Sequence, residues 1–135
     1  MRFMAILKAN RDSEAGVMPS AELLAEMGKY NEKLIQAGVL IDGAGLMASS
    51  KGARVHFANG KRTVTDGPFA ETRELIAGYW MLNVKSKQEA IEWIKGCPQP
   101  HAGEAEIELR QVFEVEDFPN APPEVVEQER RQRNK

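Results

Sequence analysis

Residues 75–84, Leu-Ile-Ala-Gly-Tyr-Trp-Met-Leu-Asn-Val, form the most apolar run of the chain and constrain its fold more than any other stretch. Side chains alternate along a strand, so Leu75, Ala77, Tyr79 and Met81 fall on one face and Ile76, Trp80, Leu82 and Val84 on the other. Both faces are apolar. Covering one large apolar side chain is worth roughly 1.5–3 kcal/mol, so neither row is expected to stay in water. A layer of helices covers only one face of a sheet. Stacking the other face on a second copy of the chain resolves the conflict, which predicts a two-fold homodimer with Tyr79 or Trp80 at or near the interface.

The flanking sequence supplies the rest of the sheet and its helices. Residues 2–8 read as a central strand, with Phe3, Ala5 and Leu7 on one face and Met4 and Ile6 on the other. Residues 9–19 read as a loop. Ser20 is a helix N-cap, and Leu23, Leu24, Met27, Tyr30, Leu34 and Ile35 follow at helical spacing until Gly38 ends the helix. Val39 to Met47 returns as a strand, in which Gly43 and Gly45 mark a bulge or a close backbone approach. After a loop at Ser49 to Gly52, residues 54–58 and 62–65 flank Asn59-Gly60, the signal of a type I′ hairpin. Ser86 caps a second helix that stops at Gly96-Cys97-Pro98, and a last strand runs from Glu106 to Val115. The order β-α-β, hairpin, β-α-β predicts an α+β, ferredoxin-like sandwich with an antiparallel sheet and two helices on one face. This domain spans residues 1–118. Residues 119–135 form a polar tail, read either as a short helix introduced by Glu124 and Glu127 or as a solvated segment.

A chain of 135 residues, 42% apolar and 28% charged, is one ordinary globular domain. Its net charge of −2 offers no field that would recruit nucleic acid or an anionic membrane, and the basic residues between Arg130 and Lys135 are too mixed with polar ones to change that. The N-terminal apolar stretch ends at Lys8, too short for a signal peptide, and no apolar run is long enough to span a bilayer. A single cysteine, Cys97, forms no internal disulfide and fits a reducing cytoplasm.

Chemistry-bearing residues are few. Asp66, Glu71 and Glu74 stand close together after the hairpin; paired carboxylates of this kind serve as acid and base, while Asp66 alone also suits a turn in which its carboxylate accepts backbone N–H groups. His101, between Pro100 and Gly103, lies on a loop and is a candidate base or donor, or else a solvated histidine. Glu71 and His101 are the pair that would share a catalytic cleft. Arg110, on the last strand, either holds an anionic ligand in that cleft or faces solvent. His56 belongs to the exposed face of the hairpin. Cys97 lies at a helix C-terminus, where the dipole raises a thiol's pKa, so it is not expected to be a nucleophile. No metal-ligand spacing occurs, and Gly43-Ala44-Gly45 lacks the helix and final glycine of a dinucleotide fingerprint, so no metal or cofactor is expected.

The run Asp66-Gly67-Pro68-Phe69, with Glu71 and Glu74 behind it, resembles the signature of the DGPF branch of the YCII-related family. Ala37-Gly38-Val39-Leu40, Gly45-Leu46, Gly78-Tyr79, Glu89 to Trp93 and Glu108-Leu109-Arg110 fit the same pattern in the same order, up to about Phe118. Gln111 stands where the branch usually has proline, and so restores an N–H for strand pairing. The resemblance implies a dimeric α/β barrel with a cleft beside the open sheet face. It also implies, for the better-known branch, a histidine on the first helix paired with an aspartate; the matching position here is Met27, which takes no proton. Three readings follow: a small enzyme of unknown reaction, a module that binds a small molecule or acts with a sigma-type transcription factor, and a protein whose role is assembly.

Overall fold

In the computed structural model, which describes residues 1–134, strand β1 (Arg2–Lys8) leads through a short helix α1 (Arg11–Glu14) and helix α2 (Ala21–Gln36) to strand β2 (Leu40–Gly45). A hairpin of β3 (Ala53–Ala58) and β4 (Lys61–Asp66) precedes β5 (Ile76–Asn83), α3 (Lys87–Lys95), β6 (Ile107–Gln111) and α4 (Pro123–Arg133). The main sheet has the order β2-β5-β1-β6 with every neighbouring pair antiparallel, and the hairpin is a separate two-stranded sheet. This is the ferredoxin-like α+β arrangement expected from the sequence, with the hairpin inserted between its halves.

Local chemistry sets the element boundaries. Ser20 Oγ accepts the Leu23 N–H at 3.1 Å, and Ser86 Oγ accepts the Glu89 N–H at 3.0 Å, so α2 and α3 begin at the residues whose hydroxyls satisfy their first free amides. α2 ends in a left-handed Gly38, φ 72°, where the Val39 N–H bonds to the Leu34 carbonyl and the Gly38 N–H to the Ile35 carbonyl. Asn59 and Gly60, at φ 52° and 75°, make the type I′ turn of the hairpin.

The core lies between the sheet and α2 and α3. Phe3, Ala5, Trp80, Leu82 and Val84 meet Tyr30, Leu34 and Ala90 there. The aromatic residues bury their rings and satisfy their polar tips: Trp80 Nε1–H donates to Asn31 Oδ1 at 2.9 Å, and the Tyr30 hydroxyl donates to the Trp93 carbonyl at 2.7 Å. On the other face Met4 pairs with Met81 and Ile6 with Tyr79, a half-buried apolar row that neither α2 nor α3 covers. β2 joins β5 through a bulge between Leu40 and Asp42, and close approach follows: a Cβ on Gly43 would lie 3.1 Å from the Tyr79 carbonyl oxygen, and one on Gly78 3.0 Å from that of Ala44.

Two expectations are corrected, and the open reading of the tail is resolved as a helix. The segment read as a loop at 9–19 contains α1, because Asn10 Oδ1 accepts the Ser13 N–H and Ser13 Oγ accepts the Asn10 N–H, a reciprocal capping pair. The last strand stops at Gln111 rather than Val115: Glu114 and Asp117 cap a 3-10 turn at Val115–Asp117 that buries Val115. The tail forms α4, tied by Arg130 to Glu116 at 3.2 Å and by Arg133 to Glu114, which Arg2 also grips at 2.8 Å. Of the basic tail, Lys135 lies outside the described residues. Among those residues, no helix is long and apolar enough to cross a membrane.

Candidate functional site

β5 and β6 both run antiparallel to β1, so the loops that lead into them emerge at the same end of the sheet, where β1 finishes. Backbone bonds join them there: Ala9 N–H to the Leu75 carbonyl at 2.9 Å and Lys8 N–H to the Glu106 carbonyl at 3.0 Å. β2 ends at this edge as well, with the Leu46 N–H on the Ala77 carbonyl at 2.7 Å. Loops from four strands thus converge on one end of the open apolar face.

The Asp-Gly-Pro-Phe turn is fixed from outside itself. Gly67 N–H donates to the Gly52 carbonyl at 3.0 Å, and Phe69 N–H to Ser49 Oγ at 3.0 Å. Ser49 is held in turn by Glu14, whose carboxylate accepts the Ser49 N–H at 2.9 Å and the Ser49 hydroxyl. A Cβ on Gly67 would lie 1.8 Å from the Ser49 carbonyl oxygen, so glycine alone fits this approach. The Arg54 guanidinium lies 3.9 Å from the centre of the Phe69 ring, a cation–π contact that fixes the aromatic residue of the motif against β3. Of the two readings open to Asp66, the self-closing turn is not the one that forms. It ends β4 opposite Ala53, exposed, and among the described residues its carboxylate accepts no hydrogen bond from its own turn. Ser49 and Glu14 hold the turn instead.

His101 is half-buried, with Nε2 at 2.9 Å from the Lys8 carbonyl oxygen. A carbonyl only accepts, so Nε2 carries the proton of this bond, and in the neutral ring Nδ1 is the acceptor. Gln99 steadies the loop by donating to the carbonyls of His101 and Gly103, each at 3.0 Å. Glu71 precedes a 3-10 turn (Thr72–Glu74) at the same end of the sheet, exposed, and makes no hydrogen bond to His101 among the described residues. Glu74 is exposed in that turn, and His56 is exposed on β3.

Arg110 lies opposite Met4 on the open face, exposed, and donates to Glu108 at 3.2 Å, while Lys8 lies 3.5 Å from the same carboxylate. The Arg110 hydrogen bond, and then the charge of Lys8, hold the Glu108 carboxyl below the ordinary carboxylate range. Trp80 belongs to the core and Tyr79 to the open face. Burial pushes the Cys97 thiol up to about 11, and its Sγ sits 3.9 Å from Met27 Sδ, so it is no thiolate at neutral pH. Among the described residues, no cluster of three His, Cys, Asp or Glu side chains is placed to hold a metal ion.

A family model for the YCII-related domain matches residues 1–116. The chain belongs to the YCII-related family. An uncharacterised protein of Rhizobium meliloti (strain 1021) is 25% identical over 121 residues, which cover 86% of this chain and 98% of that protein. The match ends within the turn that precedes α4, and the C-terminal helix lies beyond the matched residues. Met27, the position matched to a histidine, packs against the core of this YCII-related domain, so a first-helix histidine dyad has no counterpart there. Glu14, Ser49, Lys8 and Arg54 were not singled out by the sequence. The Asn10-x-x-Ser13 capping pattern was the available signal for a helix that would carry Glu14 to this end of the sheet.

Proposed function

We propose that this protein works in the cytoplasm as a homodimer closed through the open sheet face, and binds a small organic molecule where that face meets the four converging loops. One observation carries the reading: the half-buried row of Met4, Ile6, Tyr79 and Met81 is apolar, uncovered by α2 or α3, and bordered by Lys8, Glu108 and Arg110. A second copy would cover the row and leave a cleft at its loop end, with an apolar wall and a cationic border. Such a cleft suits a small aromatic or aliphatic anion. Binding leads over catalysis because Glu71 and His101 are not hydrogen-bonded to each other and His101 spends one ring nitrogen on the Lys8 carbonyl. His101 then offers Nδ1 to a donor group of the ligand, such as a hydroxyl beside its carboxylate.

Sedimentation and thermal melting test the two parts separately. Wild type should sediment as a dimer, and Met81→Lys, which places a charge in the centre of the row, should shift it toward monomer. A panel of small aromatic and aliphatic carboxylates should contain compounds that raise the melting temperature of wild type, with the shift lost in His101→Ala. A wild-type monomer would overturn the assembly; a panel without any shift would overturn the ligand class.

A further inference from the structure

The outer edge of β6 is the strongest feature left unexplained by the open face. Among the described residues, β6 ends the sheet order and pairs with β1 alone. The Glu106 carbonyl and the Val112 N–H both point toward β1, at 3.0 and 2.9 Å. Backbone groups alternate sides along an antiparallel strand, so even-numbered residues of β6 bond to β1 and the N–H and C=O groups of Ile107, Leu109 and Gln111 point outward. Beside this edge α3 leaves two open grooves of about 560 and 550 Å³, which share Leu109. The first is lined by Ile91, Ile94 and Ile107, the second by Met1, Phe3 and Lys87.

We propose that β6 is a self-complementary docking edge that pairs antiparallel with β6 of a second copy, with the two-fold axis at Leu109. Three independent features fit this one register. Leu109 faces its own copy, and Ile107 faces Gln111 of the other chain, so every outward backbone group enters a hydrogen-bonded pair and about six N–H···O bonds form. Glu108 falls opposite Arg110 in both directions, in the non-hydrogen-bonded pairs where side chains approach most closely. The intrachain Arg110–Glu108 contact of 3.2 Å is thereby exchanged for two interchain ones, each Glu108 lying between Lys8 of its own chain and Arg110 of the other.

The helix layer fits as well. α3 packs over both β1 and β6. Strands lie about 4.8 Å apart, so the two-fold copy of α3 would run antiparallel at roughly 10 Å, a normal helix-packing distance. Ile91 and Ile94 would then fill the groove region that is open in one chain, and Lys87 of each chain would approach the rim that carries Glu104 of the other. The result is a continuous eight-stranded sheet. It uses an edge, a helix flank and the Glu108 and Arg110 side chains at the border of the open face, but not the row of Met4, Ile6, Tyr79 and Met81. It therefore does not depend on the face-to-face dimer.

Gln111→Pro tests the backbone contribution, since its N–H points away from β1 and its loss spares the β1–β6 ladder. Two hydrogen bonds disappear from each assembly, and the dissociation constant measured by sedimentation equilibrium should rise by about tenfold or more. Charge reversal tests the register. Glu108→Arg and Arg110→Glu should each dissociate the edge contact when alone and associate when mixed in equal amounts, because the mixed pair has opposite charges at both positions. Circular dichroism confirms that each variant is folded. Equal sedimenting masses for wild type and folded Gln111→Pro, including monomers of both, would overturn the proposal, as would two reversed variants that fail to associate when mixed. Dissociation by Met81→Lys alone would assign the assembly to the open face instead.

Discussion

The carboxylate of Glu14 receives both the backbone N–H and the hydroxyl of Ser49, and the same hydroxyl oxygen accepts the N–H of Phe69. A short helix after β1, a turn after β2 and the motif before β5 are thus joined by one half-buried polar link. The motif's shape depends on residues far from it in sequence.

Removing the acceptor should loosen the whole link. Glu14→Ala leaves the Ser49 N–H and hydroxyl without their partner, at a cost of about 1–3 kcal/mol. Glu14→Gln keeps one carbonyl acceptor and should lose less. Urea unfolding measures both, and hydrogen exchange at the Phe69 amide should quicken in Glu14→Ala. Unchanged Phe69 exchange would mean that Ser49 holds the turn without help from Glu14.

Gly67→Ala should be the most damaging single-atom addition in the motif. The new Cβ would meet the Ser49 carbonyl oxygen at 1.8 Å and its carbonyl carbon at 2.6 Å, both backbone atoms. The two segments must separate, breaking the Gly67–Gly52 and Phe69–Ser49 bonds, so a loss of about 2 kcal/mol or more is expected. The urea midpoint of Gly67→Ala against Gly60→Ala, which has open space around it but a positive φ, separates this clash from ordinary glycine strain.

How far the sequence could be read follows the range of the forces involved. Helix starts at Ser20 and Ser86, the Gly38 stop and the Asn59-Gly60 turn are decided within a few residues, and each appears where its local chemistry places it. The two faces of β5 were legible because alternation is a local pattern; Trp80, Leu82 and Val84 are buried as that pattern requires. The turn reading of Asp66 fails: an Asp-Gly-Pro turn can close on itself, whereas here Ser49, from a distant loop, takes the Phe69 amide. Glu14 was invisible for the same reason. Its partner is 35 residues away, and no local pattern encodes a loop-to-loop bond.

Trp80 offers a cleaner test of a long-range bond. Its indole N–H donates to Asn31 Oδ1 at 2.9 Å while the ring sits in the core, edge-on to Tyr30 at 6.5 Å. Asn31→Ala leaves that donor buried without a partner and should cost about 1–2 kcal/mol in thermal or urea unfolding. Trp80→Phe removes the donor and keeps most of the ring. In the Trp80→Phe background the further change Asn31→Ala should therefore be nearly neutral, and additive losses would show that Asn31 acts through something other than the indole.

The last prediction is a pH dependence at Cys97. Burial raises its thiol from 9.0 to about 11 in the folded chain. Tyr30, buried beside it, is also raised, first by burial and then by the neighbouring thiol. An acid whose pKa is higher folded than unfolded favours the native state only while it is protonated. The stabilising contribution is complete below pH 9, where both states hold the proton, and is lost as pH rises from 9 toward 11, because the unfolded thiol ionises first. Cys97→Ala removes that term but leaves Tyr30, so its stability should fall less steeply over the same range. The measured quantity is the difference in unfolding free energy between wild type and Cys97→Ala at a series of pH values. It should be flat below pH 9 and decline between 9 and 11, and alkylation of the native thiol should show a midpoint near 11. A difference that stays constant through this window, with alkylation at the rate of an exposed thiol, would place Cys97 in water rather than against Met27.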